Sequence, residues 1–204
     1  MEPTTSRLTS RFQQARSRTQ QIIFILSWLG LCWYGMMAVH ELGHVTGALV
    51  TGGQVQQVVL HPATISRTDV SPNPRPLVVV WCGPILGCGL PLLIWRLLVR
   101  RGETLSQLAA FFAGFCLIAN GAYVAIGSLD GIGDSGVMLS HGSPAWTLVG
   151  FGAVTFPSGM LVWHRMGSVR EFLASPAQIK FGLAFGTFAA LALALALQFS
   201  LSAF

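Results

Sequence analysis

The pentapeptide His40-Glu41-Leu42-Gly43-His44 contains the side chains of this chain that are best suited to chemistry. Residues four positions apart lie on the same face of a helix, so two imidazoles at this spacing can bind one metal ion. The pattern H-E-x-x-H is that of zinc hydrolases, in which the histidines bind zinc and the glutamate is the general base. The spacing therefore predicts His40 and His44 as zinc ligands and Glu41 as the catalytic base.

The motif lies in an unusually apolar part of the chain. No charged residue occurs between Ile22 and Val39, and the whole sequence is 52% hydrophobic but only 9% charged. Soluble domains contain roughly 25% charged residues, so the composition indicates a membrane protein. An ionisable side chain in the centre of a membrane span costs about 3 kcal/mol. Three of them within five positions need compensation, which a bound metal ion supplies.

Five apolar stretches are long enough to cross a bilayer, which takes about 20 helical residues. They cover Gln21–Val50, Leu77–Val99, Leu105–Leu129, Ala145–Trp163 and Ile179–Ala203. We therefore predict an all-α fold, a polytopic bundle of about five transmembrane helices. Residues 1–20 would form a basic cytoplasmic tail and residues 21–204 one transmembrane domain, with its core at 21–139 and two additional spans within 145–203.

Lysine and arginine are distributed unequally among the segments that connect these spans. One side of the membrane receives Arg7, Arg11, Arg16, Arg18, Arg96, Arg100, Arg101, Arg165, Arg170 and Lys180, and the other only Arg67 and Arg75. Basic residues are enriched on the cytoplasmic side of membrane proteins. We therefore predict a multi-pass protein in the lipid bilayer with a cytoplasmic N-terminus. The net charge of +5 is explained by this topology, so we expect no nucleic-acid partner.

The segment Thr51–Pro76 connects the first two spans. Gly52 and Gly53 are expected to end the first helix, and the Val-rich Gln54–Leu60 is typical of a short strand. Four prolines predict a loop for the remainder. A strand beside a catalytic helix would offer an edge to an extended peptide, whereas an ordinary connecting hairpin would have no such role, and the sequence leaves both interpretations open.

A catalytic zinc ion usually takes three protein ligands and leaves one position for water. Most of the remaining acidic residues lie in tails or connections, but Asp130 and Asp134 directly follow the third span. The predicted topology brings the end of that span to the same side of the membrane as His40. Either aspartate is therefore a candidate third ligand.

At this point the chain resembles the site-2 proteases, a family of intramembrane zinc metallopeptidases. The resemblance covers about Val39 to Leu139 and rests on three features. They are the H-E-x-x-H motif within a span, Gly83-Pro84 in the second span, and an Asp-Gly-rich turn after a third span with Asn120 upstream.

The family pattern implies that an aspartate after the third span is the third zinc ligand, and two alignments compete for it. Leu129-Asp130-Gly131 reproduces the family's Leu-Asp-Gly letters. Asp134 has a glycine two residues later and an apolar run directly behind it, which places it at the start of a helix. We favour Asp134 and keep Asp130 as the alternate.

The resemblance implies that Zn²⁺ is the cofactor, and that a peptide bond in or near the membrane is hydrolysed by water that Glu41 activates. The substrate would be a membrane protein or peptide, contacted by Asn120, Gly83 and Pro84. The likeness is greatest to short bacterial members, which predicts the bacterial inner membrane. The alternative is a non-proteolytic metal-binding membrane protein with a role in transport, sensing or scaffolding. The sequence gives no indication of the oligomeric state.

Overall fold

The computed structural model of the protein describes residues 4–61, 66–166, 179 and 181–201. The helices are α1 Thr4–Val50, α2 Pro76–Leu98, α3 Glu103–Asp130, α4 Gly133–Ser140, α5 Ala145–Arg165 and α6 Phe181–Leu201. The strands are β1 Val55–Val59 and β2 Arg67–Val70. All of these helices except α4 are long and apolar enough to cross a membrane. The predicted all-α class, with about five spans and a short strand and loop insertion after the first, is confirmed.

The first helix, α1, includes most of the segment that was predicted to be a tail. No proline interrupts α1, so its backbone hydrogen bonds continue from residues 4–20 into the first span. The helix ends where Gly52 adopts a φ of +77° and the N–H of Gly53 donates to the carbonyl of Ala48 at 2.8 Å. This arrangement is a Schellman motif, which satisfies the last carbonyls of a helix.

The two strands that follow α1 form an antiparallel hairpin, with Val55 opposite Val70 and Val59 opposite Arg67. Strand β1 confirms the strand that was predicted within Gln54–Leu60. The expected loop after it was wrong for β2, because a short stretch there pairs with β1 between the proline-containing segments. The sequence signal for β2 is weak, since only Thr68 and Val70 in it are β-branched.

The chain divides into two compact units, one comprising Met1–Leu31 with Ser168–Phe204 and the other Cys32–Gly167. The second unit contains both strands, α2 to α5 and the end of α1 that carries H-E-x-x-H. Helix α5 belongs to the same unit as the motif, and the predicted core at 21–139 with two additional spans stays a prediction. Arg170, Lys180 and Ala203 lie outside the described residues, and the orientation of the protein in the membrane stays a prediction.

Helix α3 is the central element of the Cys32–Gly167 unit, since it packs against α2, α4 and α5. Small residues allow α3 and α5 to approach closely: a Cβ added at Gly159 would lie 2.7 Å from the carbonyl oxygen of Gly114. A Cβ at Gly152 would similarly lie 2.7 Å from the carbonyl oxygen of Gly121. Such small-residue contacts are typical of helix interfaces in membranes, where backbones approach each other directly.

Candidate metal centre

Helix α1 presents two buried imidazoles on one face. His40 is 6% exposed and His44 is 5% exposed, and their Nε2 atoms are 3.1 Å apart. Helix α2 lies directly against them, because a Cβ at Gly43 would lie 2.7 Å from the Cα of Gly83. A Cβ at Gly83 would in turn lie 2.9 Å from Nδ1 of His44. Glycine at both positions therefore makes room for the imidazole between the two helices.

The hydrogen bond of His44 determines which of its nitrogens can bind a metal. Its Nδ1 lies 2.9 Å from the main-chain carbonyl of Val79 in α2. A carbonyl only accepts hydrogen bonds, so Nδ1 carries the proton and Nε2 keeps its lone pair. The lone pair points toward His40 and Asp134.

The same reasoning applies to His40, whose partner is a side chain of α3. Its Nδ1 lies 2.6 Å from Oδ1 of Asn120, and the Asn120 amide nitrogen donates to the carbonyl of Cys116 at 2.9 Å. That second bond fixes the orientation of the amide, so Oδ1 accepts the Nδ1–H of His40. The lone pair of His40 is consequently on Nε2 as well. Ligating histidines commonly use this kind of partner to fix their tautomer.

A turn between α3 and α4 brings an aspartate to these histidines. Gly131 and Gly133 have φ of +63° and +58°, a left-handed conformation that glycine adopts without strain. The turn reverses the chain, and Asp134 follows it in the first turn of α4. A Cβ at Gly133 would overlap the hydroxyl of Tyr123, and that hydroxyl accepts the backbone N–H of Asp134 at 3.1 Å.

The carboxylate of Asp134 completes a set of three converging ligand atoms. Its Oδ2 lies 2.7 Å from Nε2 of His40 and 3.2 Å from Nε2 of His44. Atoms that bind one tetrahedral zinc ion at about 2.0–2.2 Å lie about 3.3–3.6 Å from one another, slightly farther apart than these three atoms. Three lone-pair atoms at such separations repel one another unless a cation lies between them. The residues therefore fit a divalent metal ion, and two imidazoles with one carboxylate form a donor set found in catalytic zinc sites.

The charge of Asp134 suits this role. Burial raises the pKa of the Asp134 carboxyl group, but the imidazoles of His40 and His44 beside it outweigh burial and hold the pKa well below its ordinary range. Asp134 is therefore a carboxylate at neutral pH.

The alternate third ligand, Asp130, lies elsewhere. It is the exposed last residue of α3, before the glycine turn. Among the described residues, the group of side chains close enough to share an ion consists of His40, His44 and Asp134. The structure thus places Asp134 beside the histidines, and Asp130 outside that group.

Glu41 is next to His40 in α1 and contacts the hairpin. The residue is 2% exposed, and its Oε2 accepts a hydrogen bond of 2.6 Å from the hydroxyl of Thr68 in β2. Because Glu41 and Thr68 are 27 residues apart, the contact requires the hairpin to fold back over α1. The hairpin is therefore part of the site and more than a connection between spans.

A cleft of about 600 Å³ opens beside the three ligand residues. One wall is polar and comes from the hairpin and the segment after it, and the other is formed mainly by α2, α3 and α4. Its lining includes His44, Thr68, Asn73, Val79, Tyr123 and Asp134. The Oδ1 atom of Asn73 is buried and has no hydrogen-bond partner among the described residues. An acceptor of this kind is costly to bury unless a ligand supplies a donor.

The three residues expected to contact substrate, Asn120, Gly83 and Pro84, lie outside the lining of the cleft. Asn120 is 1% exposed, and its amide is engaged by His40 and Cys116. Gly83 lies against His44, and Pro84 is buried within α2, where it leaves the carbonyl four residues earlier without its helical donor. None of the three lines the cleft. Substrate contacts for Asn120, Gly83 and Pro84 stay a prediction, whereas Asn120 contacts His40 and Gly83 contacts His44 directly.

Two residues of the site were not identified from the sequence. Tyr123 lies three residues after Asn120, so it shares a helix face with a residue that was already a candidate. That spacing was a usable signal. Thr68 had no comparable sequence signal, because none of the residues near it in the sequence indicates a contact with Glu41.

Comparisons with known proteins do not place the chain in a family. No protein-family model, no curated protein and no solved structure matches it. The functional interpretation therefore depends on the geometry of the site and on the motif.

Proposed function

We propose that the protein is a zinc metallopeptidase that hydrolyses peptide bonds in or next to the membrane. The observation that carries the proposal is the convergence of Nε2 of His40, Nε2 of His44 and Oδ2 of Asp134, with a buried glutamate, Glu41, next to His40 in the chain. A site that only stores or senses a metal needs ligands but has no need of a general base next to them. The buried carboxylate therefore favours hydrolysis over the other roles of a membrane metal site.

Each residue has a defined part in this proposal. His40, His44 and Asp134 hold the ion, which when bound polarises a carbonyl group and lowers the pKa of water. Glu41 takes one proton from the attacking water while the water oxygen bonds to the carbonyl carbon. The same proton then passes to the amide nitrogen as the C–N bond breaks. The products are one carboxylic acid and one amine.

Thr68 positions the base. Its hydroxyl donates to Oε2 of Glu41, and this is the only hydrogen bond of that carboxylate among the described residues. The bond restricts rotation of the carboxylate and leaves Oε1 to accept the proton of water. Holding a reacting group in one geometry lowers the entropic part of the barrier.

The cleft supports an extended segment of a membrane protein or peptide as substrate. Its polar wall offers hydrogen-bonding groups to a backbone that has left the helical conformation, and the unpartnered Oδ1 of Asn73 suits a backbone N–H. On the opposite wall, Val79, Val80 and Val137 suit hydrophobic side chains of the substrate. Together with the charge distribution, this favours cleavage near the outer face of a bacterial inner membrane.

The test is Glu41→Gln, compared with the exposed Glu103→Gln as a matched control. Each variant is purified in detergent, its zinc content is measured, and cleavage of membrane-derived peptides is followed by mass spectrometry. Loss of a general base lowers the rate by about 10²- to 10⁴-fold. We expect Glu41→Gln to keep zinc and lose cleavage, while Glu103→Gln keeps both.

Two results would contradict the proposal. Cleavage by Glu41→Gln at the wild-type rate would exclude this residue as the base. Zinc bound by a wild-type protein that cleaves nothing would favour the alternative, a non-proteolytic metal-binding protein acting in transport, sensing or scaffolding.

A further inference from the structure

Tyr123 has a place in the site that the roles above do not use. It lies on α3 one turn after Asn120, and it lines the cleft together with His44 and Asp134. Its ring meets the His40 ring edge to face, with centroids 5.8 Å apart and planes at 79°. A tyrosine in this position reaches the ligand residues and the space that a substrate would occupy.

The hydroxyl of Tyr123 is held in place as a hydrogen-bond acceptor, so its own O–H is not needed for that contact. It accepts the backbone N–H of Asp134 at 3.1 Å, which is its only hydrogen bond among the described residues. The backbone of Gly133 lies so close that any side chain there would overlap the hydroxyl. The O–H is thus fixed from one side and remains free to donate on the other.

The other side-chain donors that contact the ligand residues or Glu41 are engaged or lie outside the cleft. The Asn120 amide donates to the carbonyl of Cys116, and the Thr68 hydroxyl donates to Glu41. The Nδ1–H groups of His40 and His44 face Asn120 and Val79. Of the described side chains that bond to Asp134 or to its two histidine partners, Tyr123 is the one that both lines the cleft and has an uncommitted donor.

We propose that Tyr123 is a catalytic residue whose hydroxyl donates a hydrogen bond to the scissile carbonyl oxygen as negative charge develops on it. This inference rests on the proposed function, and it assigns to Tyr123 a stabilising role that Asn120, which does not line the cleft, does not supply. Tyr123 transfers no proton in this step and keeps its O–H bond. A donor that is fixed before the reaction stabilises developing charge without reorganisation, and removing one costs about 10²- to 10³-fold in kcat.

The test is Tyr123→Phe in the full-length, zinc-loaded protein, with Tyr34→Phe as the control. These are the two tyrosines of the chain, and phenylalanine keeps the ring in both cases. At saturating zinc we expect Tyr123→Phe to lower kcat about 100-fold while KM changes less than about threefold. A phosphinic peptide, which imitates the charged tetrahedral carbon, should bind Tyr123→Phe weaker by a similar factor. Tyr34→Phe should match the wild type.

Zinc binding separates this role from a purely structural one, and it is measured by competition with a chelator. If the loss of activity disappears when zinc is raised, or if Tyr123→Phe no longer binds zinc, the hydroxyl only holds Asp134 and the inference is overturned. The same conclusion follows if Tyr123→Phe turns over within about threefold of the wild type. A wild-type protein that binds zinc and cleaves nothing overturns the proposed function, and this inference with it.

Discussion

Helices α3 and α6 have equally apolar spans but use their surfaces differently. About 44% of the most apolar part of α3 is buried within the structure, compared with 17% for α6. Close contacts with α5 involve Gly114 and Gly121 of α3, whereas Gly182 and Gly186 of α6 have nothing within 4 Å of an added Cβ. Hydropathy alone does not separate a helix that builds a site from one that presents apolar surface. The placement of small and polar residues does.

The largest effect is expected at Asp134, which the glycine turn after α3 places beside the histidines. Asp134→Ala removes one of three ligand atoms, so zinc affinity should fall at least about 100-fold and cleavage should be lost. Asp130→Ala removes an exposed carboxylate at the end of the same helix and should change neither. Chelator competition and peptide cleavage measure both effects. Equal zinc loss in the two variants would contradict the assignment of the ligand.

Glycine substitutions compare a tight helix contact with an open one. Gly43→Ala introduces a methyl group that would overlap the carbonyl oxygen of Cys82 in α2, and overpacking of this kind costs about 1–3 kcal/mol. Gly186→Ala meets no neighbour in α6, so its stability should be unchanged or slightly higher, given the helix propensity of alanine. Unfolding in mixed micelles of increasing SDS fraction measures the difference. An equal loss for both variants would remove the distinction between the tight contact of α1 with α2 and the open surface of α6.

Polar residues of the two helices should differ in their influence on the metal. Asn120→Ala leaves the Nδ1–H of His40 without its acceptor, and loss of such a partner lowers metal affinity about 10- to 100-fold. Among the described residues, the hydroxyl of Thr187 in α6 bonds only to its own helix, so zinc affinity should stay at the wild-type value in Thr187→Ala. Titration with zinc in the presence of a chelator checks both. A wild-type affinity for Asn120→Ala would show that His40 needs no orienting partner.

The smallest effect is expected at the hairpin. Thr68→Val removes the hydroxyl that bonds to Glu41, and a hydrogen bond to a charged group contributes enough to lower kcat/KM about tenfold. Zinc content should not change, because the Thr68 hydroxyl bonds to Glu41 and, within the described part of the chain, to none of the three ligand residues. Thr68→Ser keeps the hydroxyl and should retain most of the activity. A serine variant as impaired as the valine variant would indicate a packing role instead.

The membrane spans and the histidine pair depend on short stretches of sequence, and both could be predicted. The spans follow from hydropathy, and the pairing of His40 with His44 follows from the period of a helix. The choice between Asp130 and Asp134 was harder, since it depends on a turn with two left-handed glycines that reverses the chain. The sequence favoured Asp134 for the apolar residues behind it, and the structure places that residue beside the histidines.

Contacts between distant segments could not be predicted in the same way. Strand β2 has little strand character of its own and forms because β1 is available to pair with it. The bond from Thr68 to Glu41 depends on that pairing. The close fit of α5 to α3 likewise depends on where Gly152 and Gly159 meet their neighbours, which are far away in the sequence.

The hydrogen-bond acceptors of His40 and His44 differ in how easily a substitution removes them. The acceptor for His44 is a peptide carbonyl of Val79, which every amino acid would supply at that position. The acceptor for His40 is the amide of Asn120, which a single codon change removes. In a saturation mutagenesis scan, substitutions of similar size at Val79 should be tolerated, whereas almost every replacement of Asn120 should be selected against.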